Sequence, residues 1–168
     1  MLIASPAQAA LNPGDNAPDF TVQASLGGQE FTFSLADALK KGPVVLYFYP
    51  AAFTHGCTLE AHAFAEATYS FKLQGATVIG VSHDPIATLN KFSVSECRSK
   101  FAVAADTDGK IMTEYNAAMH GNLNLADRVS YVITPDHKVL YTYAALNPDE
   151  HVANTMNALQ EWRAHNPQ

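Results

Sequence analysis

Two cysteines are the residues of this chain with the clearest capacity for covalent chemistry. Cys57 and Cys97 are the only two among 168 residues. Neither belongs to a Cys-x-x-Cys pair or to the Cys/His spacing of a structural zinc site. Two cysteines are too few for a disulfide framework, so they are either one functional pair or two unrelated thiols. A nucleophilic cysteine reacts as the thiolate, yet a free thiol with a pKa of about 8.5 is only about 3% ionised at pH 7.

The position of Cys57 favours ionisation of a thiol. The sequence Pro-Ala-Ala-Phe-Thr-His-Gly at 50–56 separates it from the apolar run at 44–49, and a helical pattern begins at Cys57 itself. A helix N-terminus stabilises an anion by up to about 2 kcal/mol, less than the roughly 2.7 kcal/mol that would leave a thiol mostly ionised. We therefore expect a cation nearby, and a guanidinium is best suited because it stays charged and offers several donors.

The elements that position Cys57 are those of an α/β fold. The continuous apolar runs at 44–49 and 77–81 are typical of strands buried on both faces. Between them, apolar residues at helical spacing predict a helix over 57–73 that ends at Gly75. A strand, a helix and a strand in this order form a right-handed parallel unit. Chemistry in such sheets collects at the carboxyl ends of the strands, where Cys57 falls.

Further elements extend the pattern to a mixed sheet between helices. Ser34 followed by Asp37 predicts a short capped helix, and Asp84 with Pro85 predicts the N-cap and first residue of another helix that runs towards Cys97. The remaining predicted elements are extended stretches at 20–22 and 30–33, a turn at 106–109 with a short helix behind it, an antiparallel hairpin of 129–133 with 138–143, and a C-terminal helix opened by 147–150.

Composition limits the classes of partner. Ten Lys and Arg against sixteen Asp and Glu give a formal charge of −6, which argues against nucleic acid and anionic membranes. No apolar run approaches the roughly 20 residues that span a bilayer. The length fits one domain over 12–168, preceded by a tail over 1–11. Ala7-Gln8-Ala9 is similar to a signal-peptide cleavage site, so we expect a periplasmic or otherwise exported protein; the alternative is a cytoplasmic protein with a disordered N-terminus.

A family resemblance joins these features. Pro50, Thr54 and Cys57 reproduce the Pro-x-x-x-Thr-x-x-Cys motif of peroxiredoxins. The sequence Pro-Gly-Asp-Asn-Ala-Pro-Asp-Phe at 13–20 resembles the opening of that family, and Arg-Val-Ser-Tyr-Val-Ile at 128–133 resembles its arginine-bearing strand. Cys-Thr-Leu-Glu-Ala at 57–61 is similar to the bacterioferritin-comigratory, or peroxiredoxin Q-like, subfamily. The resemblance implies a thioredoxin-like fold with a central mixed sheet flanked by helices.

The same resemblance implies roles for individual residues. Cys57 is then the peroxidatic cysteine, which attacks the O–O bond of a hydroperoxide and becomes sulfenic acid. Thr54 hydrogen-bonds the thiolate and the peroxide, Pro50 shields the site from water, and Arg128 holds the thiolate and polarises the peroxide. The backbone N–H groups of Gly56 and Cys57 face the peroxide oxygens. Glu60 orients Arg128. No cofactor and no metal are implied.

One position departs from the subfamily pattern. Many relatives carry a resolving cysteine where this chain has His62. Cys97 is the remaining thiol, and the resemblance allows it to resolve Cys57 as an intramolecular disulfide that a thioredoxin-like or small-thiol reductant then reduces. The alternative is an inert Cys97 and a one-cysteine peroxidase recycled by an external thiol. The resemblance further implies a monomer or a weak homodimer.

Two other functions use the same residues. Cys57 with His55 and His62 forms a candidate copper or zinc site of a thioredoxin-fold metal carrier, although His62 does not share a helical face with Cys57. Thiol–disulfide exchange is the third class, and it is weakened because Thr54 stands where the first cysteine of a Cys-x-x-Cys motif belongs. Peroxide consumption by metal-free protein separates the peroxidase from both.

Overall fold

A seven-stranded mixed sheet forms the centre of the computed structural model, which describes residues 9–120 and 122–168. The strands are β1 (Thr21–Leu26), β2 (Gln29–Ser34), β3 (Val44–Phe48), β4 (Thr77–Ser82), β5 (Ala102–Ala105), β6 (Ala118–Met119), β7 (Asn122–Ala126), β8 (Val129–Thr134) and β9 (Lys138–Ala144). The helices are α1 (Leu35–Lys41), α2 (His55–Leu73), α3 (Ile86–Ser95), α4 (Lys110–Glu114) and α5 (His151–His165).

The strand order of the large sheet is β2-β1-β5-β4-β3-β8-β9. Strands β3, β4 and β5 run parallel to one another, whereas the β8–β9 hairpin and the β1–β2 hairpin join the sheet antiparallel at its two sides. Strands β6 and β7 form a separate small sheet. The predicted thioredoxin-like fold with a central mixed sheet flanked by helices is confirmed.

Strand β3 separates two apolar cores, which explains its continuous apolar sequence. Val44, Leu46 and Phe48 face a core that includes α1 and α4, and Val45 and Tyr47 face a core that includes α2, α3 and α5. All five residues of β3 are buried. Because alternate side chains of a strand point to opposite faces, a strand covered on both sides needs apolar residues at every position.

Helix α2 begins where β3 ends, after a short loop, and this connection fixes the position of Cys57. The helix packs its buried face against the sheet, with Cys57, Ala61, Phe64, Thr68 and Phe71 among the buried residues. These follow helical spacing, as the sequence predicts, and the ring of Phe64 stacks on Tyr47 of β3 with centroids 4.3 Å apart. Cys57 is therefore held on the sheet side of the first turn of α2.

The start of α3 differs from the prediction. Pro85 is the N-cap residue and Ile86 the first helical residue, with no side-chain cap. The predicted cap, Asp84, instead accepts hydrogen bonds from the backbone N–H of Ala52 at 2.8 Å and from the hydroxyl of Ser82 at 2.7 Å. The carboxylate of Asp84 is therefore used to bind the N–H of Ala52 in the loop before α2 and does not cap α3.

The end of α3 also differs. The helix stops at Ser95, so Cys97 lies in the turn that follows and not in the helix. Arg98 and Ser99 both adopt positive φ angles, 53° and 57°. Strand β5, which the sequence analysis does not predict, begins shortly afterwards; in its Ala-Val-Ala-Ala sequence Val103 is the one β-branched residue, and alanine is depleted in strands. The short strands β6 and β7 are also absent from the prediction.

The N-terminal tail is only partly described. The candidate cleavage segment falls mainly on residues 1–8, which lie outside the described residues. Ala10 and Leu11 pack against the core, and the backbone N–H of Leu11 donates to the hydroxyl of Tyr131 at 3.1 Å. Contacts with the sheet therefore reach into the segment assigned to the tail. Within the described residues, no helix has both the length and the apolar character needed to cross a membrane.

Candidate active site

Cys57 is the third residue of α2 and is 1% exposed. The N–H of Thr58 donates to the carbonyl of Thr54 at 2.9 Å and opens the hydrogen-bond series of the helix. The N–H groups of the preceding helical residues, Gly56 and Cys57 among them, consequently have no acceptor within the helix. This end of the helix carries partial positive charge and presents donors, which is the arrangement that the sequence predicts for a thiolate and an oxygen ligand.

Arg128 supplies the cation beside the sulfur. It lies directly before β8, is 6% exposed, and its Nη2 donates to Cys57 Sγ at 3.5 Å. Its Nη1 donates to Glu60 Oε1 at 2.9 Å, and its Nε donates to the carbonyl of Leu146 at 2.7 Å. Burial disfavours the charge of Arg128, but the nearby Glu60 and Cys57 outweigh that effect and raise its pKa. Three directional bonds therefore fix a permanent charge against the thiol.

Glu60 lies one turn after Cys57 on the same helix and is completely buried. Burial raises the pKa of Glu60 to about 8, in spite of the opposing charge and hydrogen bond of Arg128. Its Oε1 meets Arg128, whereas its Oε2 has no hydrogen-bond partner among the described residues. Glu60 thus holds the guanidinium in place while its second oxygen stays unsatisfied.

Gly56 leaves the space that Arg128 occupies. A Cβ atom at position 56 would lie 3.0 Å from Arg128 Nη2 and 3.9 Å from Cγ of Pro148. The three bonds of the guanidinium leave it little freedom to retreat, so a side chain here displaces the charge from Cys57.

We expect Gly56→Ala to reduce kcat/KM for hydroperoxide by roughly 10–100-fold, the cost of a misplaced reactive group. Alanine favours helix over glycine by up to about 1 kcal/mol, so the thermal midpoint should stay level or rise. Stopped-flow peroxide kinetics and a thermal melt on the same protein separate the two effects. Full activity in Gly56→Ala would show that the guanidinium does not need its observed position.

Thr54 and Pro50 lie in the loop between β3 and α2. Thr54 is the N-cap residue of α2, but its side chain does not cap the helix; the hydroxyl donates to the carbonyl of Ala51 at 2.7 Å. Because its proton is committed to Ala51, the hydroxyl does not donate to the Cys57 sulfur as the resemblance implies, and its lone pairs can accept a hydrogen bond. Pro50 is half-buried at the end of β3. Asp84 ties the same loop to β4 through its bond to the N–H of Ala52.

Cys97, the other predicted site residue, is buried at 0% exposure in the same apolar core as Cys57. Both cysteines are free thiols. Burial, reinforced by the adjacent carboxylate of Glu96, raises the pKa of the Cys97 thiol far above its usual range. In this position Cys97 is a poor nucleophile, because almost none of it is thiolate.

A known protein family matches most of this chain in sequence. The model of the AhpC/TSA family matches residues 13–142, which include the loop between β3 and α2, helix α2, Arg128 and strand β8. The chain belongs to the AhpC/TSA family. It is a peroxiredoxin, a thiol-dependent peroxidase of the peroxiredoxin Q type, as the sequence motif predicts.

Similar proteins support the same family. The chloroplastic peroxiredoxin Q of Triticum aestivum is 34% identical over 151 residues, which cover 89% of this chain and 67% of the relative. That of Populus jackii is 34% identical over 153 residues, covering 90% of this chain and 70% of the relative. The crystal structure of peroxidoxin BcpB from Mycobacterium tuberculosis gives a TM-score of 0.80 at 30% identity and covers 89% of this chain and 96% of that one.

Several groups around the site of this peroxiredoxin are not predicted from its sequence. Asp84 supports the loop, the carbonyl of Leu146 fixes Arg128 Nε, and His151 on α5 lies behind Glu60. Asp84 carries a sequence signal for a helix cap, and neither the carbonyl of Leu146 nor His151 carries a signal for its role. The candidate metal ligand His62 pairs with Glu96 at 2.5 Å, and no group of three potential ligands occurs in residues 9–120 and 122–168.

Proposed function

We propose that Cys57 is the peroxidatic nucleophile of this thiol peroxidase. A sulfur lone pair attacks the outer oxygen of a hydroperoxide, an S–O bond forms and the O–O bond breaks. The departing oxygen takes up a proton and leaves as water or an alcohol, and Cys57 is oxidised by two electrons to sulfenic acid. The observation that carries this assignment is the contact between Arg128 Nη2 and Cys57 Sγ at 3.5 Å in a buried site.

Arg128 and the helix start act on the charge that moves during this step. Arg128 favours the thiolate in the resting site and stabilises the negative charge that develops on the departing oxygen. The unpaired N–H groups at Gly56 and Cys57 are donors to the peroxide oxygens. Thr54, whose proton is directed to Ala51, accepts a hydrogen bond from the O–H of the hydroperoxide and so orients it. Pro50 limits the access of water.

We further propose that Cys97 resolves the sulfenic acid. The Cys97 thiolate attacks Cys57 Sγ, an S–S bond forms and the S–O bond of the sulfenic acid breaks. The departing hydroxide takes up a proton from solvent and leaves as water. Its burial keeps Cys97 unreactive until the turn that carries it opens. Opening exposes the thiol to water and restores an ordinary ionisation, so resolution and local unfolding become one event.

Two side-chain contacts, one a hydrogen bond and one an ion pair, hold the Cys97 turn on α2. His62 Nε2 lies 2.5 Å from Glu96 Oε2, and one turn further along α2, Glu66 Oε1 lies 3.5 Å from Arg98 Nη1. The pairs flank Cys97 on both sides in sequence. The second pair is largely exposed, and pairs of this kind contribute about 0–1 kcal/mol. Together they form a clamp that is weak enough to open during turnover.

The backbone of the turn favours opening as well. Arg98 and Ser99 both occupy the left-handed region, which costs a non-glycine residue about 1 kcal/mol or more. Local opening releases this strain. Phe92 on α3 connects this turn to the active-site loop. Its ring packs edge-on against Phe53 of the loop, with centroids 5.2 Å apart, and its carbonyl accepts from the N–H of Cys97.

We expect one equivalent of hydrogen peroxide to convert the wild-type protein into a monomer with a crosslinked 57–97 peptide. Glu96→Gln weakens the hydrogen bond with His62, so this disulfide should form up to about fivefold faster, matching a loss of up to about 1 kcal/mol. Mass spectrometry of quenched samples measures both.

Glu161→Gln is the matched control, because Glu161 is exposed on α5 and should leave the rate unchanged. Two results would contradict the resolving role. One is Cys57 sulfenate or sulfinate with Cys97 still free, which would make this a one-cysteine peroxidase. The other is an unoxidised Cys57, which would contradict its role as the nucleophile as well.

We also propose that a thioredoxin-like protein or a small thiol reduces the oxidised enzyme, and that the enzyme is a monomer or weak homodimer. The first follows from the named relatives, which are peroxiredoxins Q. Turnover with thioredoxin against turnover with dithiothreitol measures the preference for the reductant. Sedimentation equilibrium of reduced and oxidised protein measures the assembly.

A further inference from the structure

A buried polar cluster adjoins Arg128, and of its members only Glu60 has a role in the site described above. Its members are Glu60 on α2, Ser130 on β8 and His151 on α5, and all three are 0% exposed. His151 Nδ1 lies 2.8 Å from Ser130 Oγ and 3.7 Å from Glu60 Oε2, the oxygen without a hydrogen-bond partner. His151 Nε2 lies 2.8 Å from the carbonyl oxygen of Ala145.

These contacts define the protonation of His151. A carbonyl only accepts, so Nε2 carries the hydrogen and donates to Ala145. Burial, reinforced by the charge of Arg128, lowers the pKa of His151, so the ring is neutral and its Nδ1 accepts from the hydroxyl of Ser130. Nδ1 has a single lone pair, which the hydroxyl of Ser130 occupies, and Glu60 Oε2 lies 3.7 Å from the same nitrogen, beyond hydrogen-bond distance. A proton on Oε2 therefore reaches Nδ1 once that hydroxyl turns away.

We propose that Glu60 and His151 share a single proton and that His151 is a positioning residue, which through Glu60 sets how strongly Arg128 holds the Cys57 sulfur. The proposal rests on the roles proposed above for Cys57 and Arg128. With the proton present, the pair is neutral and the guanidinium is opposed only by the thiolate. Without it, two buried anions compete for one cation.

Two of the groups that face the pair keep their charge state through this range. Arg128 stays charged, because its pKa is raised. Tyr47 on β3 senses the charge of Glu60, and burial raises its pKa well above the ordinary value, so it stays protonated. Tyr143 on β9 meets the ring of His151 edge-on, with centroids 4.7 Å apart. Loss of the shared proton is expected near the pKa of about 8 of Glu60.

The pH dependence of kcat/KM for tert-butyl hydroperoxide, with dithiothreitol as reductant, measures this event. We expect the wild-type profile to fall above about pH 8, as the pair loses its proton and Glu60 draws Arg128 away from the sulfur. Glu60→Gln keeps an oxygen that accepts from Arg128 but cannot ionise. The alkaline fall should therefore disappear in Glu60→Gln.

Two further variants should move the alkaline fall in opposite directions. His151→Phe removes the nitrogen that shares the proton, so the fall should shift to lower pH. Ser130→Ala releases Nδ1 from the hydroxyl and lets it close on Glu60, so the fall should shift to higher pH. Each shift should be about 0.5–1 pH unit, the size of one hydrogen bond. A purely structural role would lower the thermal midpoint of both variants without opposite shifts.

The outcomes separate this inference from the proposed function. A fall that persists in Glu60→Gln, or that moves the same way or not at all in His151→Phe and Ser130→Ala, would overturn the shared proton. Should His151→Phe not fold, His151→Gln keeps a donor for Ala145, lacks a titratable nitrogen, and should shift the fall to lower pH. A normal rate in Arg128→Met would instead contradict the proposed role of Arg128.

Discussion

Peroxide consumption by Cys57→Ser should fall to the background rate of the buffer, a loss on the order of 10⁴-fold or more, as for other enzymes that lose their nucleophile. A serine hydroxyl stays un-ionised at neutral pH even beside Arg128, and its oxygen cannot form the S–O bond on which the reaction depends. Arg128, Thr54 and the helix start remain in place, so the variant isolates the contribution of the sulfur. Xylenol-orange assays of residual peroxide measure the loss.

Cys97→Ser is the matched control for this prediction. It removes the other thiol from the same core by the same chemical change, and it should consume one equivalent of peroxide as fast as the wild type. Sulfenic acid should then accumulate at Cys57, trapped by a 1,3-dione probe, and later turnovers should depend on an external thiol. Undiminished turnover in Cys57→Ser would remove the basis for every role assigned to this site.

The sequence predicts the central part of the site because that part is local. Pro50, Thr54 and Cys57 lie within one loop and one helical turn, and the periodicities of β3 and α2 fix the loop at the end of a buried strand. The apolar run predicts burial on both faces, and the helical spacing predicts which face of α2 meets the sheet. Contacts between residues this close in sequence follow from the apolar periodicity and from the right-handed connection of strand, helix and strand.

The contacts that complete the site are long-range and carry no local pattern. The carbonyl of Leu146 accepts from Arg128, and the carboxylate of Asp84 accepts from Ala52. A backbone carbonyl has no sequence signature, because every residue provides one. Asp84 has the signature of a helix cap, and its actual partner is visible only after β4 and the loop have been brought side by side. The family resemblance is the source of the prediction for Arg128, which is 71 residues from Cys57.

The boundary of α3 is not predicted for a different reason. Cys97 lies beyond the helix because Arg98 and Ser99 adopt left-handed conformations, and neither is a glycine or an asparagine that would indicate such a turn. The turn is maintained by tertiary contacts, among them the hydrogen bond between Glu96 and His62. A residue held in an unfavourable conformation by its neighbours cannot be identified from the propensity of its own segment.

Arg128→Met should have the second largest effect, a loss of kcat/KM on the order of 10²–10³-fold for hydroperoxide. Methionine approximates the aliphatic part of the arginine side chain but supplies neither charge nor donors. The thiolate loses the donor at 3.5 Å from its sulfur, and the departing oxygen loses the nearby positive charge. Glu60 loses its charged partner, and because burial already raises its pKa to about 8, it is expected to stay protonated and neutral in the variant. The variant should therefore fold.

Ultraviolet thiolate absorbance and stopped-flow rates on the same samples measure the two consequences of Arg128→Met, and both should fall together near neutral pH. Arg163→Met is the matched control, because Arg163 on α5 donates to the carbonyl of Gln74 and should change neither quantity.

Arg128→Lys should recover only part of the rate. An ammonium keeps the charge, but it lacks the planar guanidinium fork that reaches Cys57, Glu60 and the Leu146 carbonyl together. If Arg128→Met reacted slowly with unchanged thiolate absorbance, the role of Arg128 would be limited to stabilising the charge on the departing oxygen. Unchanged values of both in a folded Arg128→Met variant would contradict its role altogether.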